Sequence, residues 1–174
     1  MLIKYLGERN DIPTQIKKGV AISAPLNLKG SLEALAKWYN IIYRTSFLID
    51  LRKKYKLKME DFPEYMSRED LKKINSLKDF DDLYTAPAHG FEDANDYYAK
   101  NSSLQFIPNI ELPVLILNAQ NDSFLSENCY PISLADTSKN IYLETPKFGG
   151  HVGFHMTDKT YYSEERALQF LNSK

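Results

Sequence analysis

The sequence predicts an α/β fold with a parallel sheet, and three observations lead to that prediction. Three short apolar, β-branched runs, at 19–25, 112–119 and 140–145, have the length and composition of strands. Segments with the apolar spacing of helices separate these runs and close the chain, an alternation typical of α/β layers. About 85 residues separate the first two strands, far more than an ordinary crossover, so we expect a long helical insertion there.

The first predicted element is a short helix over 1–7, in which Leu2, Ile3 and Leu6 share one face. We expect Gly7 to end it. No capping residue precedes the helix, and an uncapped start is typical of a helix cut from something longer. Met1 is therefore expected to be either an internal methionine or the product of a misplaced gene start.

Two longer helices are predicted after the first strand. The first covers 28–39 and has Asn27 or Ser31 as alternative caps. The second covers 40–57, and its predicted apolar side consists of Ile41, Ile42, Phe47, Leu48, Leu51 and Tyr55. The basic run 52–58 is either a solvated last turn or a membrane-surface patch. We favour the solvated turn, because interfacial helices carry basic residues along a whole face.

The rest of the insertion is polar and broken by proline, and it predicts short helices. These are placed at 68–74, 77–84 and 93–100, with a loop at 87–91. A closing helix at 164–171 has Ser163 as its predicted cap. The sequence contains no internal repeat and no low-complexity segment.

Composition narrows the possible classes of protein. Hydrophobic residues make up 43% and charged residues 26%, as in ordinary globular proteins, and the formal net charge of -1 does not indicate a nucleic-acid partner. The single cysteine, Cys129, excludes an intrachain disulfide and predicts a reducing, cytoplasmic location. With no histidine beside it in the sequence, we expect a passive thiol. No apolar run is long enough to span a bilayer, no signal peptide opens the chain, and no cofactor is expected.

Two residues are predicted to share a site at one edge of the sheet. Asp122 follows the second strand, and His151 follows the third within a glycine-rich loop. Carboxyl ends of neighbouring parallel strands meet in one crevice, where a carboxylate can set the tautomer of an imidazole. Gly149 and Gly150 allow the sharp turn that would point the imidazole inward. From the residues alone, the alternatives of a simple turn aspartate and a surface-loop histidine stay open.

Four stretches resemble the YheT-like group of α/β-hydrolases, which are esterases and acyltransferases. They are 21–25, 80–91 with its continuation 96–98, 117–124 and 149–154. The acid loop departs from the family at Ser123, where a proline is usual. The resemblance implies that Asp122 is the triad acid and His151 the triad base. It also implies a partial α/β-hydrolase fold of the last three strands, a single truncated domain over 1–174, with 27–110 as a helical cap insertion.

The third member of such a triad is absent, because no G-x-S-x-G elbow occurs in the sequence. In the family, the elbow is followed by a helix similar to 1–6, so we expect the chain to begin directly after its nucleophile. Ser31 lies at a predicted helix start and lacks the second glycine, while Ser102 and Ser103 lack a turn that would expose them. None of these serines is expected to replace the nucleophile.

Two functions from different classes follow. The first is the C-terminal part of a serine ester hydrolase or acyltransferase that acts on ester or acyl small molecules and is inactive alone. The alternative is a non-catalytic binding or interaction domain derived from the same fold. In either case the bare edge of the first strand, near 20–24, predicts a homo-oligomer.

Other candidate residues receive a structural interpretation. His155 follows His151 at helical spacing, but the glutamate of H-E-x-x-H is missing and Gly153 argues against a helix, so no metal site is predicted. His89 either positions the cap over the crevice or bonds to the backbone, and we favour the structural role. Ser23 is placed either at the rim of a substrate pocket or in the core. A group of aromatic residues shapes either an acyl pocket or the cap packing: Trp38, Tyr39, Tyr43, Phe47, Tyr97 and Tyr98.

Overall fold

The computed structural model describes residues 1–157 and 160–173, and its centre is a parallel sheet. The strands in this part of the chain are β1 (Gly19–Ile22), β2 (Val114–Leu117) and β3 (Ile141–Glu144), in the spatial order β1-β2-β3. The ends of the three strands are in register, since Leu117 pairs with Ile22 on one side and with Glu144 on the other. The loops that follow the strands therefore leave the sheet at one edge. The predicted α/β class, with three parallel strands and flanking helices, is confirmed.

Helices of very different lengths surround the strands in sequence. They are α1 (Leu2–Glu8), α2 (Leu28–Ala36), α3 (Ile41–Asp61), α4 (Arg68–Lys73), α5 (Leu77–Phe80), α6 (Ala86–Ala88), α7 (Ala94–Asn101), α8 (Ile132–Thr137) and α9 (Tyr162–Asn172). Short 3-10 helices cover Trp38–Asn40, Ser103–Asn109 and Glu127–Cys129, and a π-helical turn covers Asp81–Thr85. No helix of the described residues combines the length and the apolar character needed to cross a membrane.

The chain divides into two compact units. The sheet unit consists of Met1–Ser31 and Ser102–Lys174, and the helical unit consists of Leu32–Asn101. The predicted cap at 27–110 contains the helical unit.

The core of the sheet unit lies on both faces of β2. All four residues of this strand are buried, as expected for a central parallel strand covered on two sides. Val114 and Ile116 belong to one apolar cluster that includes Ile3 and Leu6 of α1. Leu117, on the other face, packs in a separate cluster with Ala119 and Phe154. The second of these clusters places the residues just after β2 against the predicted histidine loop.

The first helix departs from the sequence prediction at Gly7. α1 ends at Glu8, so Gly7 lies inside the helix, and the prediction that it ends the helix is wrong. A Cβ atom at this position would lie 2.1 Å from the carbonyl oxygen of Phe106. The glycine is therefore required by the close packing of α1 against the 3-10 helix Ser103–Asn109. The expected lack of a side-chain cap at Met1 is confirmed.

The start of α2 resolves the choice between its two predicted caps. The side-chain oxygen of Asn27 accepts a hydrogen bond of 2.7 Å from the backbone N–H of Gly30, whereas Ser31 lies within the helix. Asn27 is the capping residue. The hydroxyl of Ser31 lies instead 3.5 Å from the thiol of Cys129.

The helical unit has a small core of its own, built around Tyr55, Met66, Ile74 and Phe80. Only part of the apolar side predicted for α3 packs there: Tyr55 is buried, but Ile42 is 77% exposed, and Ile41 and Phe47 are also exposed. The prediction is wrong for these residues because the core forms only along the later part of α3, where α4 and α5 pack.

The sequence 77–91 is more helical than predicted. α5, the π turn and α6 follow each other without a break, so Pro87 and Ala88 are helical and the loop begins only at His89.

In the predicted solvated turn 52–58, the Lys58 ammonium lies over the rings of Phe62 and Tyr84. The end of this basic run is therefore in contact with aromatic side chains.

Candidate active site

The loop after β2 holds Asp122 in a fixed and fully buried position. Its backbone N–H donates to the carbonyl oxygen of Ala119 over 3.1 Å, and its Oδ1 accepts from the backbone N–H of Phe124 over 2.9 Å. The side chain of Asp122 has no exposed surface. A carboxylate in this setting has little freedom to rotate, so its second oxygen points in a defined direction.

The loop after β3 makes the sharp turn that its glycines predicted. Gly150 has φ +56°, in the left-handed region, and its N–H donates to the Asn121 side-chain oxygen over 2.8 Å. A Cβ atom at Gly149 would lie 2.7 Å from the ring of Phe154, so this position also needs a glycine. The Asn121–Gly150 bond fastens the histidine loop to the aspartate loop.

The two predicted site residues meet in the structure. Nδ1 of His151 lies 2.9 Å from Oδ2 of Asp122. Because a carboxylate oxygen can only accept, Nδ1–H is the donor, and Nε2 keeps the lone pair that a general base needs. The His151 side chain is 37% exposed, and its ring lies 4.7 Å from that of Phe124, measured between centroids. The arrangement can thus accept a proton at Nε2 and stabilise the resulting imidazolium through a buried carboxylate.

A buried amide that the sequence analysis missed supports this edge of the sheet. Asn118, directly after β2, accepts from the backbone N–H of Ala24 over 2.8 Å and donates to the carbonyl of Cys129 over 2.8 Å. It thereby joins the end of β1 to the chain that follows the Asp122 loop. The signal in the sequence was an asparagine directly after the apolar run 114–117, because a polar side chain buried at such a position needs hydrogen-bond partners.

Tyr130 also holds the aspartate loop. Its hydroxyl donates to the carbonyl oxygen of Ala119 over 2.6 Å, which fixes the backbone just before Asp122. Burial raises the pKa of Tyr130 to about 12, with the nearby negative charge of Asp122 acting in the same direction. The neutral hydroxyl that donates this bond is therefore stabilised.

Ser23 lies in the core rather than at an exposed rim. It has φ +51° and is nearly buried, and its N–H continues the sheet by donating to the carbonyl of Leu117 over 2.8 Å. Within the described residues, its hydroxyl has no hydrogen-bond partner. Of the two alternatives predicted for Ser23, the structure favours the core.

The serines considered as replacement nucleophiles occupy structural positions. Ser31 and Ser103 are buried, and the hydroxyl of Ser102 accepts from the backbone N–H of Leu28 over 3.0 Å. Cys129 is buried as well.

The other two histidines, His89 and His155, make contacts of their own. His89 is exposed and ends α6, where its N–H donates to the carbonyl of Ala86. His155 forms an isolated antiparallel bridge with Tyr161, and their rings lie 4.7 Å apart. Over residues 1–157 and 160–173, no group of three His, Cys, Asp or Glu side chains is arranged to hold a metal ion.

Comparison with known proteins finds relatives along most of this chain. It is 30% identical over 88% of its length to an abhydrolase domain-containing protein of Dictyostelium discoideum, and 30% identical over 84% to the candidate esterase YheT of Escherichia coli. It is 28% identical over 94% of its length to a monoacylglycerol lipase of Saccharomyces cerevisiae. No family model and no solved structure matches. The chain spans about two fifths of the length of these relatives, which fits a C-terminal portion of such a protein.

Proposed function

Because this chain is homologous to α/β-hydrolase-domain proteins, YheT among them, we propose that Asp122 and His151 form the acid–base part of an ester-cleaving active site. The observation that carries the proposal is the 2.9 Å hydrogen bond between the imidazole and a fully buried carboxylate. Both residues follow neighbouring parallel strands, where active groups of α/β sheets gather.

The chemistry follows the order of an acyl-enzyme reaction. Nε2 of His151 accepts the proton of an attacking serine hydroxyl while the serine oxygen bonds to the ester carbonyl carbon. His151 then gives this proton to the leaving alcohol as the ester C–O bond breaks, which leaves an acyl-serine. In the second half, His151 accepts a proton from water, the hydroxide oxygen takes the acyl group, and the serine is protonated again. Asp122 stabilises the imidazolium in both halves.

The attacking serine is proposed to come from polypeptide outside these 174 residues. The sequence has no G-x-S-x-G elbow, and the serines considered as substitutes lie in structural positions. This chain by itself is accordingly proposed to be inactive. Relatives named as a phospholipase and as monoacylglycerol lipases support lipid-like or short acyl esters as the substrate class. The segment 27–110 is proposed to be the helical cap insertion of this domain.

The experiment begins with the coding sequence directly upstream of Met1. We expect an in-frame segment encoding G-x-S-x-G-G-N, and the protein extended to include it should hydrolyse an aryl ester and react with a fluorophosphonate probe. In that protein, His151→Ala and Asp122→Asn should each lower kcat by roughly 10⁴-fold, as losses within such triads do. His155→Ala is the matched control, since it removes a nearby imidazole that lacks the Asp122 bond, and its kcat should stay within a few-fold of the parent.

Two results would contradict the proposal. One is unrelated sequence upstream of Met1. The other is fluorophosphonate labelling of the 174-residue chain that is lost on His151→Ala, since the nucleophile would then lie within this chain.

The second candidate function is a non-catalytic binding or interaction domain, favoured by the missing elbow. If the extended protein folds, contains a serine elbow and still fails to react with either reagent, this function replaces the first.

The predicted self-association is supported by β1, which pairs only with β2 within the described residues and has Ile22 exposed at its end. Light scattering that shows a monomer at high concentration would exclude a homo-oligomer.

A further inference from the structure

The helical unit contains an apolar cavity of about 550 Å³. The residues of its wall that matter here come from the end of α3 and just after it (Lys58, Phe62, Tyr65) and from the π turn and α6 (Leu83, Tyr84, Ala88). The volume lies within the range of small-molecule sites. Every lining residue that the structure describes belongs to Leu32–Asn101, the helical unit.

One positive charge lies at the wall of this cavity. Of the lining residues that the structure describes, Lys58 alone has a charged side chain. Its ammonium lies 5.6 Å from the ring centroid of Phe62 and 5.7 Å from that of Tyr84, within cation–π distance. The two rings hold the ammonium at the wall. Because Lys58 already occupies these aromatic faces, a cationic ligand would meet both a like charge and an occupied cage.

The part of the cavity wall that follows α5 has an unusual backbone. The helix that runs from Leu77 to Ala88 is interrupted by the π turn Asp81–Thr85, which supplies Leu83 and Tyr84 to the cavity. Such single π turns inside helices are often found at functional sites, since they widen the helix and shift its side chains. The lining residue Tyr65 is 82% exposed, so the wall includes a large aromatic group in contact with solvent.

We propose that this cavity binds a single apolar chain with an anionic head, and specifically a fatty carboxylate. The carboxylate bonds to the ammonium of Lys58, and the chain lies along Leu83 and Ala88. The described lining residues of this site include neither Asp122 nor His151. The proposal therefore stands whether or not the extended protein cleaves esters.

Binding to the full 174-residue chain tests the proposal, with ligands that share a twelve-carbon chain and differ only in the head. Displacement of a fluorescent fatty acid should give saturable binding of dodecanoate, about tenfold weaker binding of dodecanol and no binding of dodecyltrimethylammonium. Decanoate should bind roughly tenfold more weakly than dodecanoate, because it buries two fewer methylene groups. Tighter binding of dodecyl phosphate than of dodecanoate would overturn the carboxylate assignment in favour of a phosphorylated lipid.

Three variants locate the site. Lys58→Met should weaken dodecanoate about tenfold and leave dodecanol unchanged, whereas Lys54→Met, an exposed lysine one turn earlier that does not line the cavity, should change neither. Ala88→Trp should abolish binding of both ligands by filling the space, with thermal unfolding as the check that it folds. The proposal is overturned if dodecanoate does not saturate, or if Lys58→Met and a folded Ala88→Trp bind it as the parent does.

Discussion

The polar contacts inside the sheet unit differ in kind from those inside the helical unit. In the sheet unit, polar side chains join segments far apart in sequence, such as the Asn118 amide with Ala24 and the Asn121 side chain with Gly150. In the helical unit, many polar contacts join residues three or four positions apart, such as the Ser67 hydroxyl with the N–H of Asp70 and the ion pair of Lys73 with Asp70. The loops that carry Asp122 and His151 thus depend on contacts with distant segments of the sheet unit, whereas α4 and α5 are capped by the serines directly before them.

We therefore expect the two units to tolerate amino-acid substitutions differently. A site built from two loops needs long-range contacts, because neither loop alone can hold its side chain in place. The helical unit has a small core, exposed apolar residues on its longest helix and mostly local polar contacts. At many of its positions a substitution therefore removes few stabilising contacts. Three measurements test whether the two units differ in this way.

The largest effect is expected from truncating the central strand. Ile116→Ala removes a fully buried side chain in β2 and should lower the free energy of unfolding by about 2–5 kcal/mol. The same loss of side chain at Ile42, which is 77% exposed on α3, should change it by less than about 0.5 kcal/mol. Urea unfolding of both variants measures the contrast. Equal losses would show that Ile42 is covered in solution and that the comparison between the units fails.

A smaller effect is expected from removing a helix cap in the helical unit. The Ser67 hydroxyl accepts a hydrogen bond of 3.0 Å from the N–H of Asp70 at the start of α4, so Ser67→Ala should lower the free energy of unfolding by about 1 kcal/mol. Ser46→Ala, the same substitution on an exposed part of α3, is the control and should cost less than about 0.5 kcal/mol. Hydrogen exchange at α4 should increase in the first variant only. A Ser67→Ala chain as stable as the parent would mean that the cap contributes nothing.

A third effect is a dependence of sheet-unit stability on high pH. The pKa of Tyr130 is raised from 10.0 to about 12, chiefly by burial, so the unfolded chain loses this proton more readily than the folded one. The stabilisation is therefore complete below pH 10 and is lost as the pH rises toward about 12. Urea unfolding between pH 9 and about 12 should show a shallower decline for Tyr130→Phe than for the parent. Identical slopes would show that this hydroxyl titrates alike in both states.

Part of the candidate site was predictable because its signals are local in sequence. An apolar strand followed by an aspartate, and another followed by a glycine-flanked histidine, place Asp122 and His151 at one edge of any parallel sheet. The sharp turn at Gly150 was predictable as well, because glycine readily adopts a positive φ, which is +56° here. The supporting residues were not, because Asn118 and Tyr130 act through partners that only the folded backbone brings near.

The amino-acid sequence predicted the strands and most of the helices, because hydrophobic period, turn residues and strand ends are local features of short segments. It predicted the two residues of the candidate site only together with the family resemblance. The folded structure was needed to show that Gly7 allows close packing instead of ending a helix, and that Ile42 is exposed. It alone decided that an imidazole and a buried carboxylate twenty-nine positions apart lie 2.9 Å from each other. The physical reason is that burial and contact depend on which segments meet in space, and periodicity within one segment carries no information about its partner.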